Sequence, residues 1–119
     1  MQNDHCKVSR WQLLKQQLNN LEPQAFLQAI ADTPDAVVID VRTPEEFAMG
    51  HLEGAINIDY LGDGFWEKME ALDPGRTHFV YCRTSRRSLR ACTLMRNGGF
   101  SKVFHLDGGW NALTQARLV

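Results

Sequence analysis

Cys82 stands at the junction between an apolar run and an arginine-rich segment. The residues before it, 77–81, read Thr-His-Phe-Val-Tyr, and the residues after it, 83–88, read Arg-Thr-Ser-Arg-Arg-Ser. This pattern predicts a buried strand that delivers the cysteine into a short loop, which opens a helix. A helix start offers unpaired backbone N–H groups and a partial positive charge. Because both features stabilise a thiolate and bind an anion, the segment predicts a nucleophilic thiol beside an anion site.

Charge is distributed unevenly around this cysteine. The chain carries a net charge of −1, yet residues 74–106 contain no acidic residue and seven basic ones: Arg76, Arg83, Arg86, Arg87, Arg90, Arg96 and Lys102. One interpretation is that acidic residues from elsewhere neutralise this stretch in space, which fits Arg76 and Lys102 better than the arginines beside Cys82. The other is that those arginines bind an anionic ligand.

The totals limit the class of protein. A chain of 119 residues forms one domain of ordinary size, and its small net charge argues against a nucleic-acid binder or a membrane-surface binder. The three cysteines match no metal site or disulfide framework, and no apolar run resembles a signal core or a membrane span. We expect a cytoplasmic protein with no metal and no cofactor.

An amphipathic helix is predicted near the start of the chain. Trp11, Leu14, Leu18 and Leu21 fall at spacings of three and four, which places them on one helix face. We expect an N-terminal helical extension over residues 1–19, which packs on the domain formed by residues 20–119. The alternative is that this face binds a partner protein.

Strands and helices alternate along the rest of the chain. Strands are predicted at 36–40, 55–58, 77–81 and 103–106, and helices at 23–31, 43–49, 65–72, 86–97 and 110–117. The second helix should begin with a capping box, because Thr43, Pro44 and Glu46 occupy the required positions. The alternation predicts an α/β fold with a central, mainly parallel sheet of about five strands and helices on both faces.

Two polar side chains should meet at one edge of this sheet. Asp40 and Cys82 each end a predicted strand, and ligands of parallel sheets bind beyond the carboxyl ends of the strands. The sequence therefore predicts that both residues face the same edge and the same pocket.

Three motifs in order resemble those of the rhodanese-like domain. The first is Val38–Phe47 followed by Gly50–Ile58, the second is Tyr81–Ser88, and the third combines Gly99-Phe100 and Val103 with Leu106–Trp110. The resemblance covers about Leu21 to Ala116, and it leaves the residues before Asn20 outside.

This resemblance implies a sulfurtransferase. Cys82 would attack the outer sulfur of thiosulfate or of a persulfide donor, hold it as a persulfide, and pass it to cyanide or a thiol; a sulfur-relay protein is a further partner to consider. Covalent catalysis of this kind divides one transfer into two easier steps. Backbone N–H groups and guanidinium groups of the loop would bind the anionic donor. The predicted substrate-binding residues are Arg83, Thr84, Ser85, Arg86, Arg87 and Ser88.

Loop length distinguishes two chemistries within this kind of fold. Related cysteine phosphatases have an arginine six places after the cysteine, where this chain has Ser88, whereas Arg87 gives the shorter loop that resembles the sulfur-transferring form. Two other functions stay open: a persulfide carrier that docks through the N-terminal helix, and a phosphatase or arsenate reductase. One departure is Ser85, which stands where many rhodanese loops have glycine and would be strained if the position required a positive φ.

The remaining polar residues have simpler interpretations. Asp40 and Arg42 are supporting residues, which either form an ion pair that positions the loop or touch substrate. Cys92 is predicted to lie in the core, and Cys6 is either a spectator or a partner that resolves a Cys82 persulfide as a disulfide. His51 and Trp110 are predicted to be packing or rim residues, while His5, His78 and His105 show no metal-ligand spacing.

Overall fold

A computed structural model describes residues 19–119. Five strands form one sheet in the order β1-β5-β4-β2-β3, and every neighbouring pair is parallel. The strands are β1 (Asn19–Leu21), β2 (Val37–Asp40), β3 (Ile56–Asn57), β4 (His78–Tyr81) and β5 (Val103–Leu106). The predicted α/β fold with a parallel sheet is confirmed.

Five helices connect or follow the strands: α1 (Pro23–Ala31), α2 (Pro44–Ala48), α3 (Phe65–Glu70), α4 (Arg86–Asn97) and α5 (Gly109–Gln115). The predicted capping box of α2 is present, because the Thr43 hydroxyl accepts from the Glu46 N–H and the Glu46 carboxylate accepts from the Thr43 N–H. Helix α1 likewise begins with proline at its first position, and the Glu22 side chain caps it. None of the helices in residues 19–119 is long and apolar enough to cross a membrane.

The sheet separates two apolar cores, because alternate side chains of each strand leave on opposite faces. On one face, Val80 and Cys82 pack with side chains of α3 and α4, among them Met69, Leu89 and Met95. On the other face, side chains of β2 and β4 pack with α1 and α5, and this cluster consists of Phe26, Val38, Leu52, Phe79, Tyr81, Leu106 and Leu113. Helices therefore cover both faces, as predicted.

Strand β1 corrects the prediction for the start of the domain. Leu21 belongs to this strand, not to an amphipathic helix, while Trp11, Leu14 and Leu18 lie outside the described residues. Backbone pairing with β5 decides the outcome: Leu21 pairs with Leu106, and the Leu21 carbonyl accepts from the Asp107 N–H. Asn19 also lies in this strand, so the helix predicted over residues 1–19 stays a prediction only for residues 1–18, which lie outside the described residues. The domain boundary after residue 19 stays a prediction.

Candidate functional site: the Cys82 loop

Cys82 follows the last residue of β4 and faces the start of α4. Its Sγ lies 3.4 Å from the Ser88 amide nitrogen, which donates to it, and 3.2 Å from the Ser88 hydroxyl oxygen. The residue is 1% exposed. The sulfur therefore lies at a helix start and accepts a backbone N–H, the arrangement that binds anions at helix N-termini.

The first turn of α5 holds the cysteine loop in place. The Trp110 N–H donates to the Cys82 carbonyl at 2.8 Å, and the Asn111 N–H donates to the Arg83 carbonyl at 3.0 Å. This approach requires glycine at position 109, where a Cβ would lie 2.5 Å from the carbonyl oxygens of both Cys82 and Thr84. Gly109, the first residue of α5, thus allows a close contact between two backbones.

Ser85 is accommodated without a positive φ. Its φ is −157°, and its hydroxyl accepts from the Gly108 N–H at 3.1 Å. The strain considered for serine at this position is therefore absent. Instead, the side chain adds a third hydrogen bond between the cysteine loop and the segment that begins α5.

The Glu46 carboxylate binds the guanidinium group of Arg87. Two hydrogen bonds join them, from Nη1 to Oε1 at 2.8 Å and from Nη2 to Oε2 at 3.2 Å. Hydrogen bonds from Arg87, with those from Thr43, lower the pKa of the Glu46 carboxyl to about 2. Arg83 is mostly exposed, and its Nε lies 4.0 Å from the same carboxylate. An acid distant in sequence thus neutralises part of the basic stretch.

In the sequence, Glu46 is recognisable only as part of the helix cap. The capping box explained its presence fully, and 41 residues separate it from Arg87. No local signal pointed to the second contact. The role of Arg87 in donor binding remains a prediction. An anionic donor would have to compete with the Glu46 carboxylate for the Arg87 guanidinium.

Asp40 and Arg42 form a buried ion pair. The guanidinium donates to both Asp40 carboxylate oxygens from Nε at 2.9 Å and to one of them from Nη2 at 2.6 Å. The same group lies 4.9 Å from the centre of the Trp110 ring and 5.7 Å from that of Tyr81. Burial and the carboxylate act in opposite directions on the Arg42 guanidinium, and the net effect is a raised pKa.

This pair lies across the sheet from the sulfur. Asp40 pairs with Tyr81 in the β2–β4 register, and Tyr81 belongs to the core opposite the one that contains Cys82. The expectation that Asp40 and Cys82 share one pocket is therefore wrong, although they do share one sheet edge. Alternation along β4 explains the difference, since consecutive residues point to opposite faces. The contacts with Tyr81 and Trp110 favour a positioning role for Arg42.

A chain of side-chain hydrogen bonds continues from Ser88 into the sheet. The Ser88 hydroxyl oxygen lies 2.7 Å from Nε2 of His105, and Nδ1 of that ring lies 2.7 Å from Oδ1 of Asn20. Ser88 and His105 are fully buried. Neither His105 nor Asn20 is among the site residues predicted from the sequence. The one signal in the sequence is the place of His105 within an otherwise apolar strand.

Three further side chains, those of Cys92, His51 and Trp110, lie in the packing or rim positions predicted for them. Cys92 is fully buried in the core, where burial raises the pKa of its thiol. Trp110 packs on Arg42, as described above, and exposed His51 stacks on Phe47 with ring centres 3.6 Å apart. The predictions for Cys92, His51 and Trp110 are confirmed, while Cys6 and His5 lie outside the described residues.

The fold and the loop define a class: α/β proteins with a parallel sheet in which a central strand ends in a cysteine at a helix start. Within that class, the chain belongs to the rhodanese-like domain family, because a model of that family matches residues 22–116. The family resemblance read from the three sequence motifs is therefore confirmed.

Similar proteins agree with this assignment. A sulfurtransferase of Allochromatium vinosum is 30% identical over 92 residues, which cover 77% of this chain and 84% of that protein. A tRNA uridine(34) hydroxylase of Salmonella paratyphi B is 37% identical over 91 residues, but they span only 25% of its length. The polysulfide-sulfur transferase homodimer of Wolinella succinogenes shares the fold, with a TM-score of 0.75 at 23% identity over 96% of this chain and 85% of that one.

Proposed function

We propose that this protein is a sulfurtransferase in which Cys82 takes a sulfane sulfur from a small donor, holds it as a persulfide, and passes it to a thiophilic acceptor. The Sγ of Cys82 would attack the outer sulfur of the donor. Sulfite leaves if the donor is thiosulfate, and a thiol leaves if the donor is a persulfide. Cyanide or a thiol then removes the sulfur and regenerates the cysteine.

The contact between the Ser88 N–H and Sγ is the observation that carries this proposal. It aims a backbone donor at the sulfur from the first turn of α4, at 3.4 Å. Such a donor stabilises negative charge both on the attacking thiolate and on the persulfide that replaces it. The family membership and the named sulfurtransferase relative support the same chemistry.

Burial of Cys82 also fits a carrier of sulfur. At 1% exposure the thiol is poorly accessible to bulky substrates, whereas an S–S bond would place a transferable sulfur about 2 Å beyond Sγ. The reactive atom presented to an acceptor would then be the outer sulfur of the persulfide.

The Glu46–Arg87 pair bears on the choice of donor. A dianionic donor such as thiosulfate must compete with the Glu46 carboxylate for the Arg87 guanidinium, while exposed Arg83 remains accessible to it. Persulfide and polysulfide donors have no sulfonate group that requires this arginine. We therefore propose that such donors, including a persulfide presented by a partner protein, are used at least as efficiently as thiosulfate.

The alternative function as a phosphatase or arsenate reductase requires the loop arginine to hold a tetrahedral oxyanion. The ion pair with Glu46 weighs against it, as does the short spacing between Cys82 and Arg87. This alternative predicts hydrolysis of a small aryl phosphate that is lost in Cys82→Ala.

Intact-protein mass tests the proposal directly. The full chain is incubated with thiosulfate or with inorganic polysulfide, and Cys82→Ala and Cys92→Ala are treated in parallel. We expect one added sulfur atom on the native protein and on Cys92→Ala, no addition to Cys82→Ala, and removal by cyanide as thiocyanate. Sulfur retained by Cys82→Ala would move the carrier role to another cysteine, and no addition to any protein would overturn the proposal.

A further inference from the structure

The hydrogen bonds that leave the sulfur do not end at Ser88. They run from Sγ of Cys82 to the Ser88 hydroxyl at 3.2 Å, then to Nε2 of His105 at 2.7 Å, and from Nδ1 of that ring to Oδ1 of Asn20 at 2.7 Å. These four side chains are called the Cys82–Asn20 relay below. The two side chains at its centre are fully buried.

Strand pairing assembles the relay. His105 lies between Asn20 and Val80 in the register of β1, β5 and β4, and Cys82 is two residues beyond Val80 on the same face of the sheet. Helix α4 packs on that face and supplies Ser88 from its first turn. Three parallel strands and one helix thus bring the relay together at the carboxyl edge of the sheet.

The partners determine where the hydrogens lie. Oδ1 of Asn20 can only accept, so Nδ1 of His105 carries a hydrogen, and Nε2 of the neutral ring offers a lone pair. Ser88 donates its hydroxyl hydrogen to Nε2, since this contact is shorter than the 3.1 Å to the Ser85 carbonyl. The Ser88 oxygen is then able to accept the hydrogen of the Cys82 thiol.

We propose that His105 is the positioning residue that receives the Cys82 proton through Ser88, so that the thiolate forms inside the folded protein. This inference deepens the proposed function and rests on it for its biological meaning. The S–H bond breaks while Ser88 gains the thiol proton and gives its own to Nε2, and no electrons are exchanged with any other reactant. The products are a thiolate on Cys82 and an imidazolium on His105, which Asn20 holds in orientation.

The described ionisable side chains on the elements next to His105 are mostly cationic. On the face of the sheet that carries His105, β4 contributes His78 and is followed by Cys82, while α4, which packs on that face, carries Cys92 and the arginines 86, 87, 90 and 96; β1 has only the neutral Asn19, Asn20 and Leu21. Helix α1, which packs on the other face of β5, carries no ionisable side chain.

Alkylation of Cys82 by iodoacetamide measures the thiolate without any sulfur donor. The rate is followed across pH on the full chain, by quantifying the peptide that contains Cys82. We expect Ser88→Ala and His105→Gln to move the midpoint of this profile upward by about one pH unit or more, equivalent to roughly tenfold slower alkylation near pH 7. Asn20→Asp should move it downward, because a carboxylate at Nδ1 stabilises the imidazolium.

His78→Gln is the matched control. It removes a buried imidazole from the same face of the sheet at a position whose contacts are with Arg76 and Phe100, so it should leave the profile unchanged. Opposite shifts in His105→Gln and Asn20→Asp would support the relay, since a merely structural role would not produce them. If His105→Gln does not fold, Ser88→Ala and Asn20→Asp decide the question by the same criterion.

Profiles that coincide with that of the native protein would overturn the relay, as would shifts in one common direction. This outcome is distinct from failure of the proposed function. If sulfur loads onto Cys82 and the profiles coincide, sulfur transfer stands and the relay falls. If the profiles shift as expected and no donor loads sulfur, the relay stands and the sulfurtransferase assignment falls.

Discussion

At the scale of single residues, the site depends on how charges around Cys82 are compensated. Arg87 is the cation with the best-formed partner, because the Glu46 carboxylate binds it through two hydrogen bonds. Charge-assisted bonds of this kind are roughly twice as strong as neutral ones. Glu46 therefore sets how readily the loop accepts a second anion.

Replacing Glu46 with glutamine should release this competition. Glutamine also serves at the third position of a capping box, so α2 keeps its start while the carboxylate charge is lost. We expect the KM for thiosulfate to fall by roughly 5- to 10-fold, equivalent to about 1 kcal/mol, because Arg87 becomes available to the donor.

Steady-state kinetics with thiosulfate and cyanide would measure this change, and exposed Glu45→Gln in the same helix is the matched control. Kinetics with a polysulfide donor should change less. A KM for thiosulfate that stays constant or rises in Glu46→Gln would contradict the role given to this pair.

At the scale of secondary-structure elements, two helices hydrogen-bond to the cysteine loop. A backbone N–H at the start of α4 donates to the sulfur, while two backbone N–H groups at the start of α5 donate to the carbonyls of Cys82 and Arg83. One set of bonds acts on the reacting atom and the other fixes the backbone that carries it. The geometry of the loop should therefore be more sensitive to changes at Gly109 than its distance from the sulfur in sequence suggests.

Alanine at position 109 tests this dependence. Its Cβ would lie 2.5 Å from two carbonyl oxygens of the loop, and its φ of +62° disfavours a side chain. We expect Gly109→Ala to lower the free energy of unfolding by about 2–4 kcal/mol and to slow sulfur loading of Cys82. Urea denaturation and the mass assay would report the two effects.

Gly54→Ala is the control for conformation alone. Gly54 has a similar φ of +81°, yet beyond its chain neighbours no heavy atom lies within 4 Å of the position that a Cβ would take, so alanine there should cost only about 1 kcal/mol. Equal losses of stability in the two variants would show that the close approach to the loop is unimportant.

At the scale of the whole molecule, one ionisable group in the core opposes folding at low pH. His78 is fully buried, its Nδ1 donates to the Arg76 carbonyl at 2.8 Å, and no described group hydrogen-bonds to its Nε2. Burial lowers the pKa of this ring below its usual value of 6.5. The unfolded chain therefore binds this proton more readily than the folded protein does.

Stability should consequently fall as the pH drops below about 6.5, and be fully retained above that value. Urea unfolding at pH 8 and pH 5.5 would measure the loss, with His78→Leu as the comparison. We expect the free energy of unfolding of His78→Leu to vary less between the two pH values than that of the native protein. Parallel pH dependences would show that His78 does not contribute.

Local signals were sufficient for most of the fold. Helix α4 was predicted at 86–97 and is observed at Arg86–Asn97, because its apolar face and the glycine pair after it are both local features. Strand β1 was missed because Asn19 and Asn20 are poor strand formers, and Leu21 happens to continue a helical spacing. Its pairing with β5, at the other end of the chain, decided the structure.

The site was predictable in its centre but not in its surroundings. The motif around Cys82 identified the sulfur, the loop and Ser88, whereas the partners of that loop come from distant parts of the chain. Glu46 reaches Arg87 across 41 residues, and Asn20 reaches His105 across 85. Contacts of this kind depend on strand order, which the spacing of apolar residues does not encode.

The order of the strands has a consequence for how the protein matures. Residues 20 and 105 are 85 positions apart, and pairing of such distant parallel strands is a slow step of folding. During synthesis Cys82 leaves the ribosome before His105 does, so a nascent chain contains the cysteine before the relay can form. The proposed proton transfer would then become possible only when β5 has paired with β1 and β4.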